Sequence, residues 1–342
     1  MTEYFAFSKI DSALDKTKAI LWPFNLGIWL RLALISLFAG GITAINPFQF
    51  TGGPSEMGGL NTAMPGMNGF PDMTLILLIV FAVIILALIF GYLSAVFQFI
   101  FVDCLRTKEF RIRHYFSERV GKGARLFGFE LAVSFLLILL VAVAMIALIA
   151  GVMGTAGGAM NIMIFFTMML AVIIIAIPIA ILFMLTIDFV VPIMTADDCG
   201  VIEGWKKCWN VMGRGWLQII IYIIMKFILS IVIVIIMVII AVIAAIIIGV
   251  PFLLAFIATA GLSAGTILSP VSIILLIAYV IILIPVILII SVPFVTYIRM
   301  YSLDVLGAMA PEYSMTDVYD EEGPDRPDAV TESVTEDNLD DN

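Results

Sequence analysis

The sharpest chemistry in the sequence is a pair of opposite charges set inside apolar runs. Asp188 lies about two turns inside the end of one run and Lys226 about two turns into the next, at opposite ends of one polar connection. Similar depth lets carboxylate and ammonium meet, and pairing lowers the cost each charge carries in hydrocarbon. The competing reading is that each head snorkels to water along its own stem. Tyr222 stands one turn before Lys226, and Glu130 opens another run. No charge falls at the middle of any run, which is unlike an ion-coupled transporter. The soft-ligand inventory is His114, Cys104, Cys199 and Cys208. With a single histidine the zinc-protease spacing HExxH is impossible, and neither a GxSxG nor a P-loop is expected. Neither a nucleophile set nor a metal set is evident, so no catalytic, cofactor-binding or metal residues are assigned. Met64 and Met67 have the nearest spacing to a Cu(I) thioether site. A flexible apolar loop on the membrane surface explains the methionines without a metal.

The runs that carry these residues dominate the chain. Of 342 residues, 63% are hydrophobic and only 13% charged, and mean hydropathy is +1.18. A soluble domain is nearer half apolar and a quarter charged. The composition therefore specifies a polytopic membrane protein and excludes fibrous, disulfide-stapled and nucleic-acid-binding classes. An odd cysteine count gives no disulfide framework, and all three fall in segments expected in the cytoplasm, where thiols stay reduced. The formal charge of −9 is concentrated after residue 312, where acids such as Glu321, Glu322, Asp340 and Asp341 face one base, Arg326. Residues 303–342 are expected to form an acidic, disordered cytoplasmic tail, too poor in large apolar side chains to repay its ordering entropy. The first residues show no cleavable signal peptide.

A membrane helix needs about 20 apolar residues. Six segments qualify, at 28–45, 73–102, 126–152, 162–194, 219–249 and 270–302. Residues 251–260 are too short to span and are expected to break or re-enter. The expected fold is all-α: a six-span transmembrane domain over 28–302, built as three hairpins, preceded by an N-terminal cytoplasmic segment at 1–27. Lysine and arginine cluster at 9–31, 106–125 and 206–226, with Arg299 and Arg326 beyond. The loops at 46–72, 153–161 and 250–269 hold none. Basic loops stay inside during insertion, so both termini are expected in the cytoplasm, with the protein in the plasma membrane. Pro178 and Pro285 lie deep in spans and remove backbone bonds there, which membrane helices tolerate.

Each hairpin is preceded by an amphipathic stretch. Ile10, Ala13, Leu14, Thr17 and Leu21 share one face, as do Ile112, Tyr115, Phe116, Val120 and Phe127. Val201, Trp205, Cys208, Trp209 and Met212 form the third stripe. The intervals repeat: Leu14–Trp22–Trp29, Ile112–Val120–Phe127 and Val201–Trp209–Trp216. Three copies of an interfacial helix plus a two-span hairpin follow from that spacing. Such helices lie in the headgroup plane, where basic side chains attract anionic lipid. Arg106, Arg111, Arg113, Lys122, Arg125, Lys206 and Lys207 are the candidate lipid contacts. The plainer reading of the same charges is topology and anchoring.

The run Phe189-Val-Val-Pro-Ile-Met194, then Gly200-Val-Ile-Glu-Gly-Trp-Lys-Lys-Cys-Trp-Asn-Val-Met212 and Gly215-Trp-Leu, resembles the membrane domain found with some glycerophosphoryl diester phosphodiesterases. It is also similar to uncharacterised multi-span families of archaea and bacteria, as is the stretch 97–130. The resemblance implies a six-span helical membrane domain without assigned chemistry. The soluble phosphodiesterase barrel has no room in this chain, so its activity does not carry over. The expected function is that of a non-enzymatic integral membrane module acting on membrane lipids or on another membrane or cytoplasmic protein. It needs no cofactor and has no nucleic-acid partner. The alternative is a small-solute transporter or channel with a cavity between the hairpins near Asp188 and Lys226.

Overall fold

A computed structural model describes residues 5–41, 73–154, 158–262 and 270–319. Every regular element among them is helical. Helix α1 covers Phe5–Leu21 and α2 covers Leu26–Ser36. The Asn25 side chain accepts the Gly27 N–H and starts α2. A π turn, Leu37–Gly41, extends it. The long helices are α3, Met73–Thr107, and α4, Ile112–Gly154. Helix α5, Gly158–Leu185, passes through a second π turn, Thr186–Val190, into the short α6, Val191–Asp197. Helix α7 covers Val201–Arg214, α8 Trp216–Leu262 and α9 Pro270–Met309. Two single 3₁₀ turns follow, at Pro311–Tyr313 and Asp317–Tyr319.

Five helical stretches are long and apolar enough to cross a membrane: Thr74–Thr107, Ile112–Ala147, Phe165–Asp197, Trp216–Ala258 and Pro270–Met309. Of the first expected span, the described part is the shorter apolar helix Leu26–Ala39. Its continuation, with Met64 and Met67, lies outside the described residues. Helix α3 packs on α4, α4 on α5 and α8 on α9, while α1 lies across α9 and α8. The packed core gathers at one end, from Phe99, Ile100 and Leu105 through Phe189, Ile193 and Met194 to Tyr222, Met300 and Tyr301.

The structure departs from the sequence expectation in three places. Residues 251–260 neither break nor re-enter, because α8 runs through Pro251 to Leu262. One missing N–H at the end of so long a helix costs one bond and leaves the rest intact. The second amphipathic stretch is no separate element: α4 carries it straight into its span, with no glycine–proline break to part them. Finally, residues 303–319 do not belong to a disordered tail. Helix α9 continues to Met309, and Met315 and Tyr319 are buried. The Tyr319 hydroxyl donates to the Leu105 carbonyl at 2.5 Å. Two apolar anchors and a buried hydrogen bond hold a segment that charge counting alone assigns to solvent. Residues 320–342 lie outside the described residues.

Candidate functional site

The π turn between α5 and α6 puts a carboxylate at the centre of the packed end. The Val191 N–H bonds to the Thr186 carbonyl, five residues back. In that register the next donor, at position 192, would serve Ile187. Pro192 has no N–H, so the Ile187 carbonyl is left open. The Arg299 guanidinium from α9 fills it, with Nη1 donating at 2.7 Å. A buried carbonyl rarely goes unpaired, and here a side chain 112 residues away supplies the donor. The first π turn is treated alike: the Gln98 amide donates to the Ala39 carbonyl at 2.6 Å.

Asp188, in the middle of that π turn, is 2% exposed. Its Oδ2 accepts from the Lys226 ammonium and from the Tyr222 hydroxyl, the latter at 2.9 Å. Its Oδ1 accepts from the Ser302 hydroxyl at 3.2 Å, with Arg299 Nη1 at 3.9 Å. The structure thus brings Asp188 and Lys226 together. It adds three groups the sequence reading did not join to them: Tyr222 as a ligand, Ser302 and Arg299. Two cations face one carboxylate, and the carboxylate's lone pairs are already engaged. Arg299 Nε is buried with no hydrogen-bond partner among the described residues. The signal for Arg299 was present in sequence, as the single basic residue of its span. Glu130 forms no ion pair among the described residues.

Around this knot, three exits from the bundle each carry a carboxylate matched by a base on a neighbouring helix. Asp103 at the end of α3 takes a two-pronged grip from Arg119 of α4, at 2.6 and 3.0 Å. Asp197 at the end of α6 pairs with Lys207 of α7 at 2.9 Å. Asp304 near the end of α9 pairs with Lys16 of α1 at 3.0 Å. Ser12 and Thr316 also donate to Asp304, at 2.9 and 2.7 Å. The last pair joins the final long helix to the first short one. The exits are alike in backbone too. A buried polar residue followed by an aromatic recurs as Gln98-Phe99, Asp188-Phe189 and Thr296-Tyr297. Lys108 and Asp198, each ten residues beyond its polar residue, end their helices at φ 55° and 53°.

The seven basic residues expected at lipid divide into two groups. Lys122 donates to the Met194 carbonyl at 3.2 Å and pairs with Asp198. Lys207 pairs with Asp197 and, at 3.5 Å, with Glu203. The hydrogen bond to Asp197 pushes the Lys207 ammonium up to about 12. These two hold helices together. Arg106, Arg113, Arg125 and Lys206 are exposed, as is Arg111, which pairs loosely with Glu109 at 3.2 Å. On α7 the buried face is Val201, Gly204, Cys208 and Val211, so Trp209, expected on that stripe, points outward. Gly204 is required there, because a Cβ would come within 3.0 Å of both Val190 and Met194.

The expectation that the chain holds no GxSxG is corrected by Gly261-Leu-Ser263-Ala-Gly265, which has the spacing of a nucleophile elbow. It follows a long apolar helix instead of a strand, and Ser263 and Gly265 lie outside the described residues. No group of three or more His, Cys, Asp or Glu suited to a metal occurs among the described residues.

No curated protein and no solved structure shows significant similarity to the chain. The likeness to phosphodiesterase-associated membrane domains is therefore without a match behind it. A family does match, over residues 4–316, and that span covers the whole knot and all three carboxylate–base pairs. The chain belongs to this family, a family of unknown function, DUF7544.

Proposed function

We propose that the protein is a non-enzymatic integral membrane module that works by contact with anionic lipid, or with a partner protein, at its basic end. In this reading six spans cross the plasma membrane as three hairpins and both termini lie in the cytoplasm. Helices α1 and α7 and the first turns of α4 sit in the headgroup layer. The observation that carries it is what surrounds the packed end. The lysines and arginines of the described residues belong to elements that meet there, and they alternate with exposed aromatics. Trp22 is 77% exposed, Trp209 68% and Trp216 67%. Tryptophan beside lysine and arginine is the signature of a membrane–water boundary. Asp188 supports an architectural use of the buried charges over transport, because its three hydrogen-bond donors and the nearby Arg299 leave little for a solute to displace.

Cysteine accessibility tests the topology directly. Leu60→Cys and His114→Cys should label from opposite sides of the membrane. Labelling of both from one bath ends the six-span, both-ends-inside reading. The native thiols give little background, since Cys104, Cys199 and Cys208 are all buried. Burial pushes the Cys208 thiol up to about 12 and raises Cys199 as well.

A further inference from the structure

We infer that the basic end carries two built headgroup sites for anionic phospholipid, one at the start of α4 and one farther along it. This rests on the lipid-contact reading above and locates it. The first groove, of 590 Å³, is lined by Arg31, Phe110, Arg111, Ile112, Arg113 and His114. The second, of 870 Å³, is lined by Arg125, Phe129, Gly200, Ile202, Glu203 and Lys206, among others.

The two grooves occupy corresponding places. Arg31 follows Trp29 by two residues on the helix that opens the first apolar run, and Phe129 follows Phe127 by two on the next. In each case the opposite wall is the beginning of the following amphipathic helix, Ile112 or Val201. A third such place exists where α8 meets α1. There Gln218, two residues after Trp216, accepts the Phe5 N–H at 3.3 Å, and the junction is tied shut. The chain therefore repeats one junction three times and leaves two of them open.

Both open junctions are cationic. Arg31 spends one hydrogen bond on the Phe110 carbonyl at 3.3 Å, which fixes its guanidinium at the groove. Arg111 is partly balanced by Glu109. Arg113 makes no ion pair among the described residues. In the second groove Arg125 and Lys206 face Glu203, which Lys207 already meets at 3.5 Å. The flanks are apolar and open: Leu30 is 61% exposed and Leu34 44% beside the first groove, and Ile202 is 74% exposed at the second. A cationic pocket with an oily flank matches a phosphate head joined to a hydrocarbon tail, and it matches a soluble anion poorly. Guanidinium groups bind phosphate oxygens in a forked geometry, which adds orientation to charge.

Native mass spectrometry of the full chain released from detergent, with phosphatidylglycerol or phosphatidylcholine added, tests this. The wild type should retain two phosphatidylglycerols in preference to phosphatidylcholine. Arg31→Gln/Arg111→Gln/Arg113→Gln should lose one, Arg125→Gln/Lys206→Gln the other, and Lys9→Gln/Arg106→Gln neither. Loss of two or more bases should weaken a site roughly thirtyfold or more. All the changed side chains are at least partly exposed, and an unchanged melting temperature confirms folding. Equal loss in the Lys9/Arg106 control would reduce the effect to general charge and overturn the two sites. Retention undiminished in both groove variants would overturn them while leaving lipid contact intact. No preference for phosphatidylglycerol in the wild type would remove the lipid reading altogether. Displacement by excess inorganic phosphate would make the ligand a free anion and overturn the assignment to lipid.

Discussion

The two ends of α3 belong to different environments. Toward its start Leu77, Leu78 and Phe81 are 67%, 65% and 63% exposed, while nearer its end Val96, Phe99 and Ile100 are at 0%. The same contrast runs along α8, where Tyr222 is fully buried but Ile235 and Ile247 are open. Both ends are apolar, so hydrophobicity does not separate them. What separates them is polar and small residues. The buried end has Gln98, Asp188, Thr296 and Arg299, and glycines that admit close neighbours. A Cβ at Gly123 would lie 2.4 Å from Val96 Cγ2 and 2.9 Å from Val96 Cα. The open end has branched aliphatics, for which lipid tails are as good a neighbour as another helix. Without a hydrophobic drive between helices in a bilayer, hydrogen bonds and close contact decide where they associate.

The sharpest way to break this contrast is Asp188→Ala. It strands Lys226 and Arg299 without their counter-charge, and removing one member of a buried ion pair costs about 3–5 kcal/mol. Thermal unfolding in micelles should show the full loss; an unchanged midpoint would mean that the knot does not hold the packed end. Lys16→Met should cost about 1.5–3 kcal/mol, the range for hydrogen bonds to charged groups. It should also expose α1 to protease before the long helices are cut. Gly123→Ala should cost about 1–3 kcal/mol by overpacking against Val96, read in the same melting assay.

A smaller effect concerns pH. The hydrogen bond from Lys122 beside it holds the Asp198 carboxyl below the usual carboxylate range. Its contribution is present above about pH 4, the unfolded value, and is lost as pH falls through the lowered one. Asp198→Asn should flatten the acid limb of a melting-temperature profile slightly, and a steeper limb would reverse the sign. Smallest of all, Ile235→Ala at the open end should shift stability by under about 0.5 kcal/mol. A loss as large as that of Gly123→Ala would show that the open end is packed in the membrane after all.

Much of this was legible beforehand. Long apolar runs without charge announce helices directly, and five of the six expected spans appear as described helices. The Asp188–Lys226 contact was one of two outcomes that equal depth on consecutive runs allowed, the other being that each head snorkels to water. The place of Arg299 was not legible, because its partner is a carbonyl freed by Pro192, and nothing in a one-dimensional pattern marks a backbone vacancy. Asp304 and Lys16 are 288 positions apart, beyond any periodicity argument. The order of residues 310–319 was hidden by charge: Glu312 and Asp317 suggested solvent, yet Met315 and Tyr319 decide the packing. Helix faces proved less legible than helices. Trp209 fits a 3.6-residue stripe, but Gly204 and Cys208 are what the neighbouring helix accepts.

The Lys16–Asp304 contact has a consequence for biogenesis. Helix α1 leaves the ribosome 288 residues ahead of the carboxylate that it binds in α9. At about 5–20 residues per second, Lys16 waits roughly a quarter of a minute to a minute for its carboxylate. A chain that stops short of Asp304 therefore lacks the buried ion pair that seals α1 against α9, and its α1 should be cut by proteases sooner.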